Sequence, residues 1–117
     1  MISAMDITDY AKVFKAFSEP VRLRILHLLM DKGELCVCDI VDCLGLSQSV
    51  ISRHLAYLRN TGLLATRREG VWIYYRVTEA SNFTAKLLEL FHQHGLEASM
   101  IKDDQQNFGS LSNRSCC

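Results

Sequence analysis

Residues 35–77 constrain the fold more tightly than any other part of this 117-residue chain. Leu35 to Leu44 reads as a short helix and Gly45-Leu46 as a turn. Ser47 then caps a second helix running to about Asn60. Val50, Ile51, Leu55 and Leu58 share one side of that second helix, while Gln48, Ser49, Ser52 and Arg53 lie opposite. A short helix, a glycine turn and a second helix with small polar and basic residues at its outer amino end meet the requirements of a helix-turn-helix. Leu63–Arg68 and Val71–Val77 then alternate as two strands around Glu69-Gly70, a tight hairpin signal. Val71, Ile73, Tyr75 and Val77 share one face of the second strand, and Trp72, Tyr74 and Arg76 the other. A hairpin directly after a helix-turn-helix is a wing. The expected fold class is mainly α with a two-stranded β wing: a winged helix-turn-helix with five helices.

Three further helices frame the reader. Asp6 to Phe17 carries an amphipathic stripe of Ile7, Tyr10, Ala11, Val13, Phe14 and Phe17. Ser18 is the expected cap of a next helix with Pro20 in its first turn, a stripe of Val21, Ile25, Leu28 and Leu29, and Gly33 at its end. A last helix is expected from about Glu79 to Leu96, with Phe83, Leu87, Leu90 and Phe91 inward. The first and last helices are not needed to enter a DNA groove, yet both carry strong apolar stripes. Phe14, Phe17, Leu87, Leu90 and Phe91 are therefore the expected interface of a two-fold homodimer, which would set two reading helices on half-sites about one DNA turn apart. Residues 1–100 form one domain in this reading. Residues 101–117 turn polar and are expected to be a flexible tail ending in Cys116-Cys117.

Thirteen basic and thirteen acidic residues give a formal net charge of zero, but the charges are not spread evenly. Between Ser47 and Arg76 the basic residues Arg53, Arg59, Arg67, Arg68 and Arg76 face Glu69 alone. Such a stripe is an electrostatic footprint for phosphate, and the expected partner is double-stranded DNA. Gln48 suits adenine and Arg53 suits guanine in bidentate pairs. Ser49 and Ser52 are placed to approach phosphate or base edges, His54 the DNA backbone, and Arg67 and Arg68 the phosphates beside the wing. The blander reading of the wing arginines is a solvated hairpin. No apolar run approaches the roughly 20 residues that span a bilayer, so no membrane partner is expected. Met1 to Asp6 has neither the basic nor the apolar part of a signal peptide, and a cytoplasmic location is expected.

Five cysteines, an odd number, argue against a disulfide framework and for metal or redox chemistry. Cys43 reads as a small core residue. Cys36 and Cys38 stand one residue apart, beside Asp39 and just ahead of the DNA reader, which favours ligand chemistry over two buried small hydrophobes. Ser18-Glu19-Pro20-Val21-Arg22-Leu23, Glu34-Leu35-Cys36-Val37-Cys38-Asp39-Ile40 and Ser52-Arg53-His54-Leu55 resemble the arsenical-resistance repressor (ArsR) family of bacteria, over roughly residues 7 to 95. The resemblance implies a homodimeric winged-helix repressor released from operator DNA by trivalent arsenic or antimony. It implies the arsenite site at Cys36 and Cys38. No permanent cofactor is expected.

Soft-centre chemistry agrees, since trivalent arsenic selects thiolates over imidazole or carboxylate. Residues i and i+2 of a helix are about 200° apart. Two thiols so placed cannot share one ion until that turn unwinds, and ligation is expected to distort the third helix and shift the reading helix beside it. A third ligand is not obvious. Val41 stands three residues after the pair, where some family members have a cysteine, and Cys43 lies about 10.5 Å of helix rise from Cys36. Cys116 and Cys117 are the other candidates, weighed equally against incidental thiols in a loose end.

Other functions fit the same residues less well. A zinc or cadmium sensor needs His and carboxylate ligands on the last helix, where only His92 and His94 stand, two apart. A thiol-redox switch is a further option, pairing Cys36 with a tail cysteine. An enzyme such as an arsenate reductase would leave the basic reading helix without a role. His27, His54, His92 and His94 are scattered over separate elements, with no nucleophile–base pairing.

Overall fold

Asp6 starts the first helix, α1 (Ile7–Ala16), through a reciprocal cap. Its carboxylate accepts from Ile7 N at 2.8 Å, while its own N–H donates to Asp9 Oδ2 at 2.9 Å. The computed structural model containing this helix describes residues 5–78 and 81–110. Glu19, not Ser18, caps α2 (Pro20–Lys32): it accepts from Arg22 N at 3.1 Å, whereas Ser18 Oγ donates back to Lys15 O and closes α1. The longer glutamate side chain reaches the third amide of the helix, and the hydroxyl goes to the nearer carbonyl.

The largest departure from the sequence reading comes next. Gly33, at φ 89°, ends α2, and the chain enters a short strand, β1 (Glu34–Cys36), before α3 (Val37–Leu44) begins. A helix was expected from Leu35. The physical reason is a partner far along the chain, because β1 pairs antiparallel with the second wing strand and buries Leu35 in the core. The sheet therefore has three strands, not two, with the second wing strand between β1 and the first wing strand.

The helix-turn-helix is α3 followed by α4 (Gln48–Asn60). Gly45 takes the left-handed conformation (φ 70°) that turns one helix into the next, and Ser47 Oγ caps α4 by accepting from Val50 N at 3.3 Å. The hairpin is β2 (Leu64–Glu69) and β3 (Trp72–Val77), one residue displaced from expectation, with a Gly70-Val71 loop between the paired Glu69 and Trp72. Ile25, Leu26, Leu28 and Leu29 of α2 meet Ile40, Ile51, Leu55, Leu58, Leu63, Leu64 and Leu88 in one core, which sets α4 against the rest of the domain with its polar face outward.

Helix α5 (Asn82–Gly95) is capped by Ser81 and packs on α2 through Leu88 and Thr84. It ends on a close approach: a Cβ at Gly95 would lie 2.8 Å from His27 Cδ2. The expected flexible tail is, as far as it is described, a sixth helix, α6 (Ser99–Ser110). Ile101 and Asp104 are buried, Asp104 takes two hydrogen bonds from Arg24 at 3.0 and 2.8 Å, and Asn107 Nδ2 donates to Cys43 O at 2.9 Å. A sparse stripe in a polar sequence is enough because Arg24 of α2 waits for it. Among the described residues, no helix is long and apolar enough to cross a membrane.

Candidate nucleic-acid interface and thiol site

Gln48, Ser49, Ser52 and Arg53 are all exposed along the amino-terminal half of α4, as base-reading residues must be. Arg59 and Arg68 are exposed as well. His54 is corrected: it is buried, with Nδ1 3.4 Å from Arg22 Nη1 and Nε2 3.6 Å from Glu19 Oε2. Burial, reinforced by Arg22 and Arg53, lowers its pKa from the ordinary 6.5 against the opposing pull of Glu19. Its contacts tie α4 to the start of α2.

Arg22 is the hub of that support, and the sequence reading missed it. Its guanidinium donates to the carbonyls of Ala16 and Lys15, each at 3.0 Å, and lies 4.1 Å from the centroid of the Tyr57 ring. One buried cation on α2 thus closes the end of α1 and presses on α4. The matching signal was the Glu19-Pro20-x-Arg22 spacing, but only the packing shows what the arginine does.

Arg67 does not stand clear on the wing as expected. Its Nη2 donates to Glu34 Oε1 at 2.7 Å, its Nε lies 3.1 Å from the same oxygen, and its Nη1 donates to Glu69 at 2.7 Å. The hydrogen bond from Arg67 holds the Glu34 carboxyl below its usual range, and Glu34 in turn raises Arg67.

The thiol pair straddles a strand-to-helix junction. Cys36 ends β1 in extended backbone (φ −83°, ψ 165°) as the residue before α3, and Cys38 lies in the first turn of the helix. The helical argument that set the two thiols about 200° apart therefore does not hold, since Cys36 is outside the helix. Cys36, Val37 and Cys38 line one recess of about 230 Å³, together with Ser52 of α4 and Val71, Trp72, Ile73 and Tyr75 of the wing. Cys36 Sγ lies 3.4 Å from Asp39 Oδ2. Both sulfurs are disulfide-bonded in this structure, so that contact becomes a proton-donating one only on reduction. Cys43 is a free, fully buried thiol whose pKa burial raises to about 11, in keeping with a core role. Cys116 and Cys117 lie outside the described residues. Among the described residues, no group of three or more His, Cys, Asp or Glu is arranged to hold a metal ion.

Of the expected dimer residues, Phe14 and Leu90 are more than half exposed, joined by Ile7 (77%) and Met100 (53%). Phe17 and Phe91 instead pack inward, edge to face with each other, and Leu87 is half-buried.

A family model described as "Bacterial regulatory protein, arsR family" matches residues 19–66. The arsenic resistance transcriptional regulator ArsR1 of Pseudomonas putida is 51% identical over 65 residues, 56% of this chain; the match spans about half (51%) of that relative's length. The cadmium resistance regulatory protein CadC homolog of Staphylococcus aureus is 38% identical over 93 residues, covering 80% of this chain and 75% of the relative. Among solved structures, an antimony-specific transcriptional repressor, AntR, aligns at TM-score 0.65 and 29% identity over 91% of this chain and 88% of its own. The homodimeric winged helix-turn-helix domain Mb0332 of Mycobacterium bovis aligns at TM-score 0.65 and 33% identity over 83% and 92%.

Proposed function

The chain belongs to the bacterial ArsR family of regulatory proteins, and we propose that it is a repressor that leaves its operator when trivalent arsenic or antimony binds Cys36 and Cys38. It is a transcriptional regulator of the winged helix-turn-helix kind and not an enzyme. The finer reading rests on one observation above the others: a single recess joins the two sulfurs to Ser52 on the reading helix and to Trp72 on the wing. Whatever occupies that recess touches all three elements that DNA binding uses. A ligand with a preference between two arrangements of β1, α3 and α4 shifts the protein between them by that difference in affinity.

The chemistry is thiolate capture. Reduced Cys36 and Cys38 would each form a sulfur bond to the trivalent centre as one of its hydroxides leaves with the thiol proton as water, with no change of oxidation state. Thiolate suits that soft centre better than imidazole or carboxylate. Cys116 and Cys117 are proposed as the source of a third thiolate. In support, α6 is anchored on α2 and α3, and its Phe108 ring lies 4.8 Å from Lys32 Nζ, two residues ahead of Glu34. A seven-residue segment spans at most about 23 Å. Gln48 and Arg53 are proposed to read bases, Ser49 and Ser52 to meet base edges or phosphate, and Arg67 and Arg68 to meet phosphate. The operator-binding species is proposed to be a homodimer through the exposed apolar faces of α1 and α5.

The test is fluorescence anisotropy of operator DNA on the reduced protein, titrated with arsenite, beside a Cys36→Ser, Cys38→Ser variant. Release of the native protein alone supports the reading, and repetition with Cys116 and Cys117 replaced decides the third ligand. Release by an oxidant but not by arsenite would support a thiol-redox sensor instead, which the disulfide state of both sulfurs favours as the second reading.

A further inference from the structure

The three strands place the sensor sulfur and a wing arginine on one rung. Cys36 is the register partner of Tyr74, and Tyr74 is the register partner of Arg67, so the three lie side by side across β1, β3 and β2. Neighbouring strands are about 4.8 Å apart, which puts roughly 10 Å between the backbones of Cys36 and Arg67. The Arg67 guanidinium lies 4.7 Å from the centroid of the Tyr74 ring. Glu34, two residues before Cys36 and on the same side of β1, reaches across to take Arg67 at 2.7 Å. Arg53, Arg59, Arg68 and Arg76 form no ion pair among the described residues. One wing cation is singled out for pairing, and it is the one on the rung of the thiol.

We infer that Glu34 is a positioning residue that withdraws Arg67 from DNA, and that β1 carries the state of the Cys36–Cys38 pair to the wing by this route. In the DNA-bound form Arg67 exchanges the carboxylate for a phosphate, which likewise offers two anionic oxygens to the guanidinium fork. When the sulfurs are occupied, the end of β1 is fixed, Glu34 keeps hold of Arg67, and the wing loses a phosphate contact. Because both partners of Arg67 are anionic acceptors, a modest bias at β1 decides between them. The coupling half of this proposal rests on the thiol pair being the sensor; the Glu34–Arg67 competition does not.

The experiment measures operator affinity against salt for reduced native protein, Glu34→Gln, Arg67→Gln and the double variant, each with and without arsenite. Glutamine keeps the shape of the strand and removes the charge. Without ligand, Glu34→Gln is expected to bind operator several-fold tighter, with a salt slope steeper by up to about 0.9 per protomer. Arg67→Gln is expected to bind more weakly with a shallower slope, and adding Glu34→Gln to it is expected to change nothing. With arsenite, Glu34→Gln should lose several-fold less affinity than the native protein. An unchanged slope in Glu34→Gln, or an equal gain in the Arg67→Gln background, would overturn the proposal, the latter by showing only a general charge effect. Failure of arsenite to release the native protein would sink the sensor reading and the coupling, while the ligand-free cycle still decides what Glu34 does to Arg67.

Discussion

Cys43 and His54 were the two residues whose roles depended most on burial. Cys43 was legible as core, since an isolated small thiol between Asp42 and Leu44 has neither spacing nor charge to activate it. Its thiol, raised to about 11 by burial and then by nearby carboxylates, stays protonated at neutral pH and is a poor ligand. Cys43→Ala should leave arsenite-driven release unchanged and cost about 1 kcal/mol of stability, read by urea unfolding; loss of release at unchanged stability would return Cys43 to the ligand set. His54 follows the exposed Ser52 and Arg53, but one residue of helix turns it by about 100° into the core. His54 and His27 are both buried with pKa lowered below 6.5, chiefly by desolvation. His27 faces His92 and Asp31, with Asp104 farther off, and His54 faces Glu19, Arg22 and Arg53. A histidine with a depressed folded pKa contributes its full stability above the unfolded pKa and loses it as pH falls through the folded one. Stability should therefore be lower at pH 5 than at pH 7, the loss beginning as pH falls below about 6.5. His27→Gln should flatten part of that decline in thermal unfolding at the two pH values; an equal decline in the variant would place the protons elsewhere.

At the scale of elements, α4 and the wing were legible because each carries its own period, 3.6 for the helix and 2 for the strands, bounded by Ser47, Gly62 and Gly70. β1 was not. Three residues make no period, and Glu34-Leu35-Cys36 becomes a strand only because β3, some forty residues on, offers an edge. Its absence from the sequence reading also misplaced Cys36, and with it the geometry of the thiol pair. α6 was hidden by composition: its inward residues include an aspartate, which reads as solvent-facing until Arg24 is set opposite. That ion pair is nearly enclosed, with side chains 14% and 3% exposed, and Arg24 also donates to Leu44 O at 2.8 Å, at the end of α3. Asp104→Ala leaves a cation under α6 without its counter-charge and should destabilise the domain by about 2–3 kcal/mol. Asp104→Asn, which keeps the acceptor oxygen, should cost less. Equal losses in the two variants, by denaturant unfolding, would show that the pair matters through packing rather than charge.

For the whole molecule, the proposed two-fold contact lies on the exposed apolar side of α1 and α5. Phe14, 55% exposed, sets its ring edge-on to Phe83 of α5 at 5.8 Å; Leu90, 54% exposed, lies about two turns further along α5, and Ile7 is a third exposed apolar side chain. Apolar residues collected on one face, away from the reading helix, suit a two-fold contact in which each helix meets its own copy. A single winged helix covers one half-site; two joined across this face gain the second half-site as a nearly intramolecular event. Leu90→Glu puts a charge at the middle of the proposed contact while touching nothing in the protomer core. The variant should stay folded, with native far-UV circular dichroism and an unfolding midpoint within a few degrees of the native protein. It should sediment as a monomer at micromolar concentration, and its operator affinity should drop by two orders of magnitude or more, toward the weak, sequence-tolerant binding of one half-site. Anisotropy on a half-site duplex separates the causes. Native and variant proteins should bind that shorter duplex alike, because each uses only one reading helix there. A Leu90→Glu protein that remains a dimer would move the interface off α5, and one that is monomeric yet binds the full operator as tightly as the native protein would remove dimerisation from DNA recognition.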